Sequence, residues 1–468
     1  MVKNIKKNKK DNKTICFIHY GIGWKDGINT VIRNLTEEIK HQKSNLNICF
    51  IGGKIKDFIL SNACYKLIPE LVPKKNNLTK ESLEREAEII AKKIAKAVED
   101  AEVVIIENPF LGGYHLSAML GFSIYAKKYK SSKTKLYFRI HDLYLDNSKY
   151  NKELKKFISP TKIKTIMESK GVKGFLVINK KLKKKLINLG VDQKKIIYSP
   201  NGINKKIFNK SIIKKEKDKI IKSLKISKKY KKDIKILLYP VRVVPRKNIE
   251  EAILLTSLIR QITKQNFVLV ISGKIDKYDS LSKNYFKKLK KVVKVSKMPV
   301  LFLKNPLPLK REYNSRKKVK RFSISDLFET SEAILMTSLD EGFGYPYLEC
   351  WFANKVIIGR RIDNVISDFE KKGLKFKWLY NDFLIKESIS NLENPEKFKR
   401  IKKIIEILKN KELKKEILDL NKNIIKKQIH ILKDKKEQKQ IIKNNLKLAE
   451  KIYGISTITK KFLKEVNL

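Results

Sequence analysis

Thr337-Ser338-Leu339-Asp340-Glu341-Gly342-Phe343-Gly344-Tyr345-Pro346-Tyr347-Leu348-Glu349 is the stretch on which the fold turns. It follows Ala333-Ile334-Leu335-Met336, an apolar run of buried-strand type, and a helical pattern opens at about Tyr347. Two glycines in the turn let backbone amides approach a ligand closely. Strand, glycine turn and helix N-terminus together make an anion site from N–H groups and the helix dipole. Glu341 and Glu349 flank the place where a phosphate would sit. Glu349 enters an apolar helix between Leu348 and Cys350-Trp351, so its carboxylate needs a partner. On this reading Glu341 faces a reacting centre, and Glu349 accepts hydrogen bonds from a ribose diol. The plain alternative is two solvated glutamates around a helix start.

Upstream, residues 234–239 form another apolar run, ending in Pro240-Val241-Arg242-Val243-Val244-Pro245-Arg246-Lys247-Asn248. A helix follows with Ile249, Ala252, Ile253 and Leu255 on its buried face. Arg242 and Lys247 straddle Pro245 at a strand end, where an Arg fork and a Lys point charge suit a diphosphate. Residues 267–272, 299–303 and 356–359 continue the strands of this half.

The first half repeats the alternation. Residues 14–19, 46–51, 103–106, 135–140 and 174–178 read as strands, and 30–40, 83–99, 113–129 and 180–189 as helices. Strands separated by helices imply parallel, doubly wound sheets, so the fold class is α/β. Glu107, His141 and Asp142 close strands, and ligands of open α/β sheets bind at that carboxyl edge. His141 could bind hydroxyls or relay a proton, or could be an ordinary polar residue. The loop from Tyr20 to Asn29 holds three glycines, including Gly27, in a spacing that does not fit a dinucleotide fingerprint; its amides suit a phosphate.

A chain of 468 residues is too long for one ordinary core. The turn Ser199-Pro200-Asn201-Gly202-Ile203-Asn204 marks a boundary. The expected plan is a basic disordered tail over 1–13, a first domain over 14–198, a second over 199–445 and a terminal helix over 446–468 returning to the first. Residues from 395 to 451 read as helical and very basic, with Ile401, Ile404, Ile405 and Leu408 suited to one packed face.

The formal net charge of +59 would suit a polyanion, but the lysines are spread along the chain instead of clustered into a footprint. Aromatic residues interleaved with basic ones are sparse, so a nucleic-acid-binding protein is the rival reading, and no specific nucleic acid is expected. Cys16, Cys49, Cys64 and Cys350 match no zinc spacing, and Cys16, Cys49 and Cys350 read as buried thiols of a reducing compartment. No Asp, Glu or His cluster has metal-ligand spacing, so no metal site is expected. No stretch is long and apolar enough to span a bilayer. A cytoplasmic protein is expected, with peripheral contact to an anionic inner membrane face left open.

The motifs together resemble the retaining glycosyltransferases of family four, which have the two-domain GT-B fold. Glu341-Gly342-Phe343-Gly344 followed by Glu349 resembles their E-x7-E motif. Pro200-Asn201-Gly202-Ile203-Asn204 resembles the PNGVD turn, Arg242 with Lys247 the phosphate-binding pair, and Asp26-Gly27 the second half of the N-terminal glycine loop. Asp326-Leu327-Phe328 and Ile357-Ile358-Gly359-Arg360 resemble the flanking segments.

The resemblance spans about residues 14–380 and implies two Rossmann-like domains facing across a cleft. It implies a nucleotide diphosphate-sugar donor bound by the second domain and a glycan, glycolipid or small-molecule acceptor. Glu341, Arg242, Lys247 and His141 would be catalytic. Gly27, Glu107, Asp142, Asn201, Gly342, Phe343, Gly344, Tyr345 and Glu349 would bind substrate. No cofactor or metal would be needed. Glu107 stands where members carry a histidine near the donor sugar; either His115 or His141 takes that role, or the donor site differs. A phosphorylase or epimerase on the same fold is the remaining alternative.

Overall fold

The computed structural model describes residues 13–24, 26–57, 59–73, 79–110, 115–143, 155–159, 163, 165–166, 170–208, 214–224, 233–275, 280–303, 305, 307–316, 318–385 and 397–468. All but the last residue of the basic tail lies outside the described residues, as do 395–396 at the start of the basic helical region.

The chain divides into two compact units, Met1–Gly202 with Tyr453–Leu468, and Ile203–Ile452. The first unit has strands β1 (Thr14–Ile22), β2 (Asn47–Ile55), β3 (Cys64–Leu67), β4 (Val103–Glu107), β5 (Lys135–Ile140), β6 (Val172–Val177) and β7 (Ile196–Tyr198). They form one sheet in the order β3-β2-β1-β4-β5-β6-β7, every neighbouring pair parallel. β4 is buried along its whole length, as expected of a continuous Val/Ile run with helices over both faces. The short edge strand β3 is half-exposed and carries no alternating pattern, so periodicity does not reveal it.

The first unit is completed by the helix Ile455–Glu465. Phe462 stacks on Phe17 with ring centroids 6.5 Å apart, and Leu463 and Val466 join the same core. A side chain at Gly202 would collide with Ile455, so this turn residue must be small.

The second unit has β8 (Lys235–Tyr239), β9 (Phe267–Ile271), β10 (Val300–Phe302), a hairpin of β11 (Glu312–Tyr313) and β12 (Val319–Arg321), then β13 (Ala333–Met336) and β14 (Ile357–Gly359). The main sheet runs β10-β9-β8-β13-β14 and is parallel throughout. Both sheets are therefore doubly wound and Rossmann-like, as the alternation implies. The basic region forms four helices, Lys397–Lys409, Lys411–Leu420, Lys422–Lys433 and Lys435–Tyr453. Ile401, Ile404 and Ile407 of the first are buried, while its lysines face outward. No helix among the described residues is long and apolar enough to cross a membrane.

Candidate active site

In the second unit the strand order reverses between β8 and β13, and the chain leaves both strands at the carboxyl edge. After β8, Pro245–Lys247 makes a tight helical turn, and Asn248 takes a left-handed conformation at φ 48 before the helix Ile249–Thr263 begins. After β13, Thr337 to Gly344 cross toward the same place. Several bonds tie the two loops. Leu339 N donates to Arg246 O at 2.9 Å, and Arg246 Nη1 donates to Asp340 O at 2.8 Å. Asn248 Nδ2 donates to Thr337 O at 3.1 Å, and Thr337 Oγ1 to Asn248 O at 2.8 Å. Tyr239, buried at the end of β8, donates its hydroxyl to Lys247 O.

These ties bring Lys247 and Glu341 together: Nζ donates to Oε1, and Arg246 Nη1 lies 3.7 Å from Oε2. Burial lowers the Lys247 ammonium from its ordinary range to about 8, although Glu341 opposes the shift. Burial also pushes the Glu341 carboxyl up, but Lys247 and then Arg246 outweigh it and hold it below the usual range. Arg242 is exposed on the same edge. Two cations thus hold one carboxylate at a strand-order reversal, with Arg242 near enough to act on the Lys247 ammonium, an arrangement suited to exchanging that carboxylate for a diphosphate.

Gly344 caps the helix Tyr345–Phe352 at φ 77, and a side chain there would meet Val365 Cγ1 at 2.4 Å. The helix opens at Tyr345, two residues earlier than the pattern predicts. Phe343 is buried against Tyr345 and Phe369, with centroids 5.1 and 5.9 Å away, so its ring serves the packing of the turn. Gly342 is exposed on the same turn. Glu349 is half-buried on that helix, and burial pushes its carboxyl up to about 7.

Beneath the loop lies a residue that local sequence reading misses. Glu251, fully buried in the first turn of its helix, accepts from Asn248 Nδ2 at 2.8 Å, Arg360 Nη2 at 3.0 Å, Tyr380 hydroxyl at 2.8 Å and Arg400 Nη2. Its only sequence signal is an acidic residue in a first helical turn, which occurs commonly without burial. Through Asn248 it holds the residue next to Lys247.

The first unit has a separate polar cluster at the edge of its own sheet. Strand order reverses between β1 and β4, and His19, Glu107 and His141 come from the neighbouring strands β1 and β4 and the end of β5. His141 Nε2 and Glu107 Oε2 are 2.6 Å apart, and Arg139 Nη1 lies 3.7 Å from Glu107 Oε1. Burial raises the Glu107 carboxyl, yet Arg139, His141 and His19 outweigh it and hold it ionised below the usual range. Burial lowers the His19 imidazole, whose Nδ1 lies 2.8 Å from Gly21 O. Asn201 Oδ1 accepts from Arg139 Nη2 at 3.2 Å, so the turn residue braces this cluster. Asn108, left-handed at φ 53, accepts through Oδ1 from His141 N and Asp142 N at 3.2 and 3.0 Å.

Asp142 itself is exposed. His115 lies elsewhere, with Nε2 3.0 Å from Glu70 O, so His141 is the histidine beside Glu107. Gly27 opens the helix Gly27–Gln42, capped by Asp26, whose Oδ1 accepts from Asn29 N at 2.8 Å. His19 was not singled out from sequence; its signal is only that it ends an apolar run.

One described group could hold a metal ion: His430, Asp434 and Glu437 bring ligand atoms within 4.8 Å of one another. His430 and Glu437 already pair at 2.8 Å, and Asp434 Oδ1 caps a helix by accepting from Glu437 N.

Residues 216–424 match the family model described as Glycosyl transferases group 1. That match lies within the second unit and covers less than half of the chain. A mannosylglucosyl-3-phosphoglycerate synthase from Petrotoga mobilis is 32% identical over 208 residues, 43% of this chain and 36% of that protein, so the match spans about a third of the relative. A glycosyltransferase from Rickettsia africae has a similar structure at TM-score 0.60 and 14% identity, covering 98% of each chain. The Anabaena protein HepE in complex with UDP-glucose gives 0.60 at 12% identity, covering 97% of this chain and 99% of that one. A sucrose-phosphate synthase from Thermosynechococcus elongatus gives 0.61 at 13%, covering 97% and 98%. These likenesses show the fold, which is GT-B.

Proposed function

We propose that the protein is a retaining glycosyltransferase that moves a sugar from a nucleotide diphosphate-sugar to an acceptor hydroxyl. The observation that carries this reading is the Lys247–Glu341 pair at the strand-order reversal, with Arg246 and Arg242 on the same edge. An incoming diphosphate would take Lys247 from Glu341. The freed carboxylate would then accept hydrogen bonds from the donor sugar, while Glu349 accepts from the ribose diol. As the bond from sugar to phosphate breaks, negative charge grows on the diphosphate. Fixed cations stabilise that charge, and Arg242 and Lys247 are placed to supply them. The acceptor oxygen attacks on the face the leaving group departs from, and a phosphate oxygen takes its proton. With these cations in place the transfer needs no divalent ion, and activity should survive a chelator.

The acceptor is expected to use the first unit's edge at His141, Glu107, Asp142 and Gly27. The name of the Petrotoga relative, which points to a phosphorylated small glycoside as product, favours a small-molecule acceptor over a glycan or glycolipid. A cytoplasmic location fits the use of a nucleotide-sugar.

A thermal-shift panel of UDP-, GDP- and ADP-sugars followed by product analysis tests the reading. One donor class should stabilise the chain, and the anomeric configuration should be kept in the product. Glu341→Ala and Lys247→Ala should each remove most transfer while circular dichroism stays unchanged. Full activity in both variants would overturn the proposal.

A further inference from the structure

The first unit's sheet carries three cysteines in one cross-strand row. Register places Cys16 of β1 beside Cys49 of β2, and Cys49 beside Cys64 of β3. In a parallel sheet, residues in register leave the same face, and neighbouring strands lie about 4.8 Å apart. That spacing falls inside the window of Cα separations, about 4.4–6.8 Å, that a disulfide can bridge. Cys16 and Cys49 are buried, whereas Cys64 is exposed on the edge strand. The Sγ atoms of Cys49 and Cys64 stand 2.6 Å apart, close to the bonded separation of about 2.05 Å.

We propose that Cys49 and Cys64 form a redox-active pair that closes to a disulfide when it meets a peroxide or a small disulfide oxidant. Cys64 is the sulfur that solvent reaches, so it reacts first. With a peroxide, the Cys64 thiolate attacks one oxygen, the O–O bond breaks, and a sulfenic acid and one water form. Cys49 then attacks the Cys64 sulfur, the S–S bond forms, the S–O bond breaks and a second water leaves. Two thiols lose two electrons and two protons, and one peroxide is reduced to two waters. With a disulfide oxidant the same two electrons pass through a mixed disulfide on Cys64, which Cys49 resolves, releasing two thiols.

The geometry selects this pair over the others. Cys16 lies behind Cys49, away from solvent, and Cys350 lies in the second unit. The hydrogen bond with the Cys49 sulfur, and then burial, hold the Cys64 thiol above its ordinary range, while Lys66 on the same strand works in the opposite direction. The pair is therefore slow toward mild oxidants, and the partner sulfur is already in place when Cys64 does react. Closure fastens a four-residue edge strand that is otherwise held by its β2 ladder and by Tyr65 stacked on Phe50 at 5.2 Å. An edge strand frays readily, so a covalent tie there changes local opening most.

The test uses the reduced full chain, treated with hydrogen peroxide or with oxidised glutathione, then alkylated under denaturing conditions and mapped by mass spectrometry. The expected product has lost two hydrogens, yields one cross-linked peptide joining Cys49 to Cys64, and reverts with dithiothreitol. Cys49→Ser and Cys64→Ser should each abolish the cross-link, while Cys16→Ser and Cys350→Ser leave it. Amide exchange over residues 65–68 should slow on oxidation. A Cys16–Cys49 cross-link would overturn the proposal, as would Cys64 recovered as a sulfinic acid or stable mixed disulfide beside alkylated Cys49.

Discussion

Lys247 donates its ammonium hydrogen to Glu341 across the point where strand order reverses in the second unit. Both side chains are almost fully enclosed, at 7% and 10% exposure. Removing one partner leaves the other charge buried without compensation, which costs about 3–5 kcal/mol. Lys247→Met should therefore lower both stability and transfer. The double variant Lys247→Met/Glu341→Gln should regain most of the stability and none of the transfer. Chemical denaturation beside a donor-turnover assay, with an expected loss of about 100-fold or more, separates the two effects.

Donor binding should depend on pH through Lys247. Its folded-state value lies near 8 against an ordinary 10.5. Below the folded value both states are protonated. Between the two values the unfolded chain holds one more proton, so stability rises with pH across that window. Binding runs the other way, because a neutral amine cannot hold a diphosphate. Donor affinity should fall about tenfold per pH unit above 8, following the loss of one proton. Lys247→Arg, which stays charged, should flatten the profile. Titration calorimetry from pH 7 to 9.5 checks it, and a wild-type profile flat across that range would contradict the assignment.

Glu349 titrates in the opposite sense. Burial raises its carboxyl to about 7, so between the ordinary 4.5 and that value the folded chain holds the extra proton. Stability then falls as pH rises through this window. Glu349→Gln should raise the melting temperature at pH 8 relative to wild type and weaken donor binding by about 10-fold, the size of one charge-assisted hydrogen bond. Scanning calorimetry with and without the donor that the thermal-shift panel selects reads both changes.

In the first unit, Glu107 is the counter-charge for Arg139 and the hydrogen-bond partner of His141 in a buried cluster. Glu107→Ala should destabilise this unit by about 3–5 kcal/mol. His141→Asn keeps the Glu107–Arg139 pair and should cost less. If His141 instead serves only the fold, transfer in His141→Asn should match wild type at saturating acceptor. Calorimetric unfolding and an acceptor KM measured side by side distinguish the cases.

The legible parts of the fold were those written in local pattern. Val103 to Ile106 and Ala333 to Met336 are continuous apolar runs, and continuous runs are what buried parallel strands require. Glu107 and His141 drew attention because each stands where such a run stops, and Lys247 and Glu341 because each lies in the loop that follows one. What stayed hidden depends on register and on distance along the chain. Glu251 meets Arg360, Tyr380 and Arg400, which lie 109, 129 and 149 residues away. The row of Cys16, Cys49 and Cys64 exists only once three strands are aligned. Strand β3 has too few residues and too much exposure to leave a periodic signature.

The terminal helix that completes the first unit bears on how the protein is made. Gln42 Nε2 donates to Ser456 O at 3.0 Å across 414 residues of sequence, and Phe462 seals the core against Phe17. The second unit comes from one uninterrupted segment and can close while synthesis continues. The first unit must wait for residues that are translated after the whole of the second. Until Phe462, Leu463 and Val466 have left the ribosome, the apolar surface around Phe17 stays uncovered, so the second unit can close before the first.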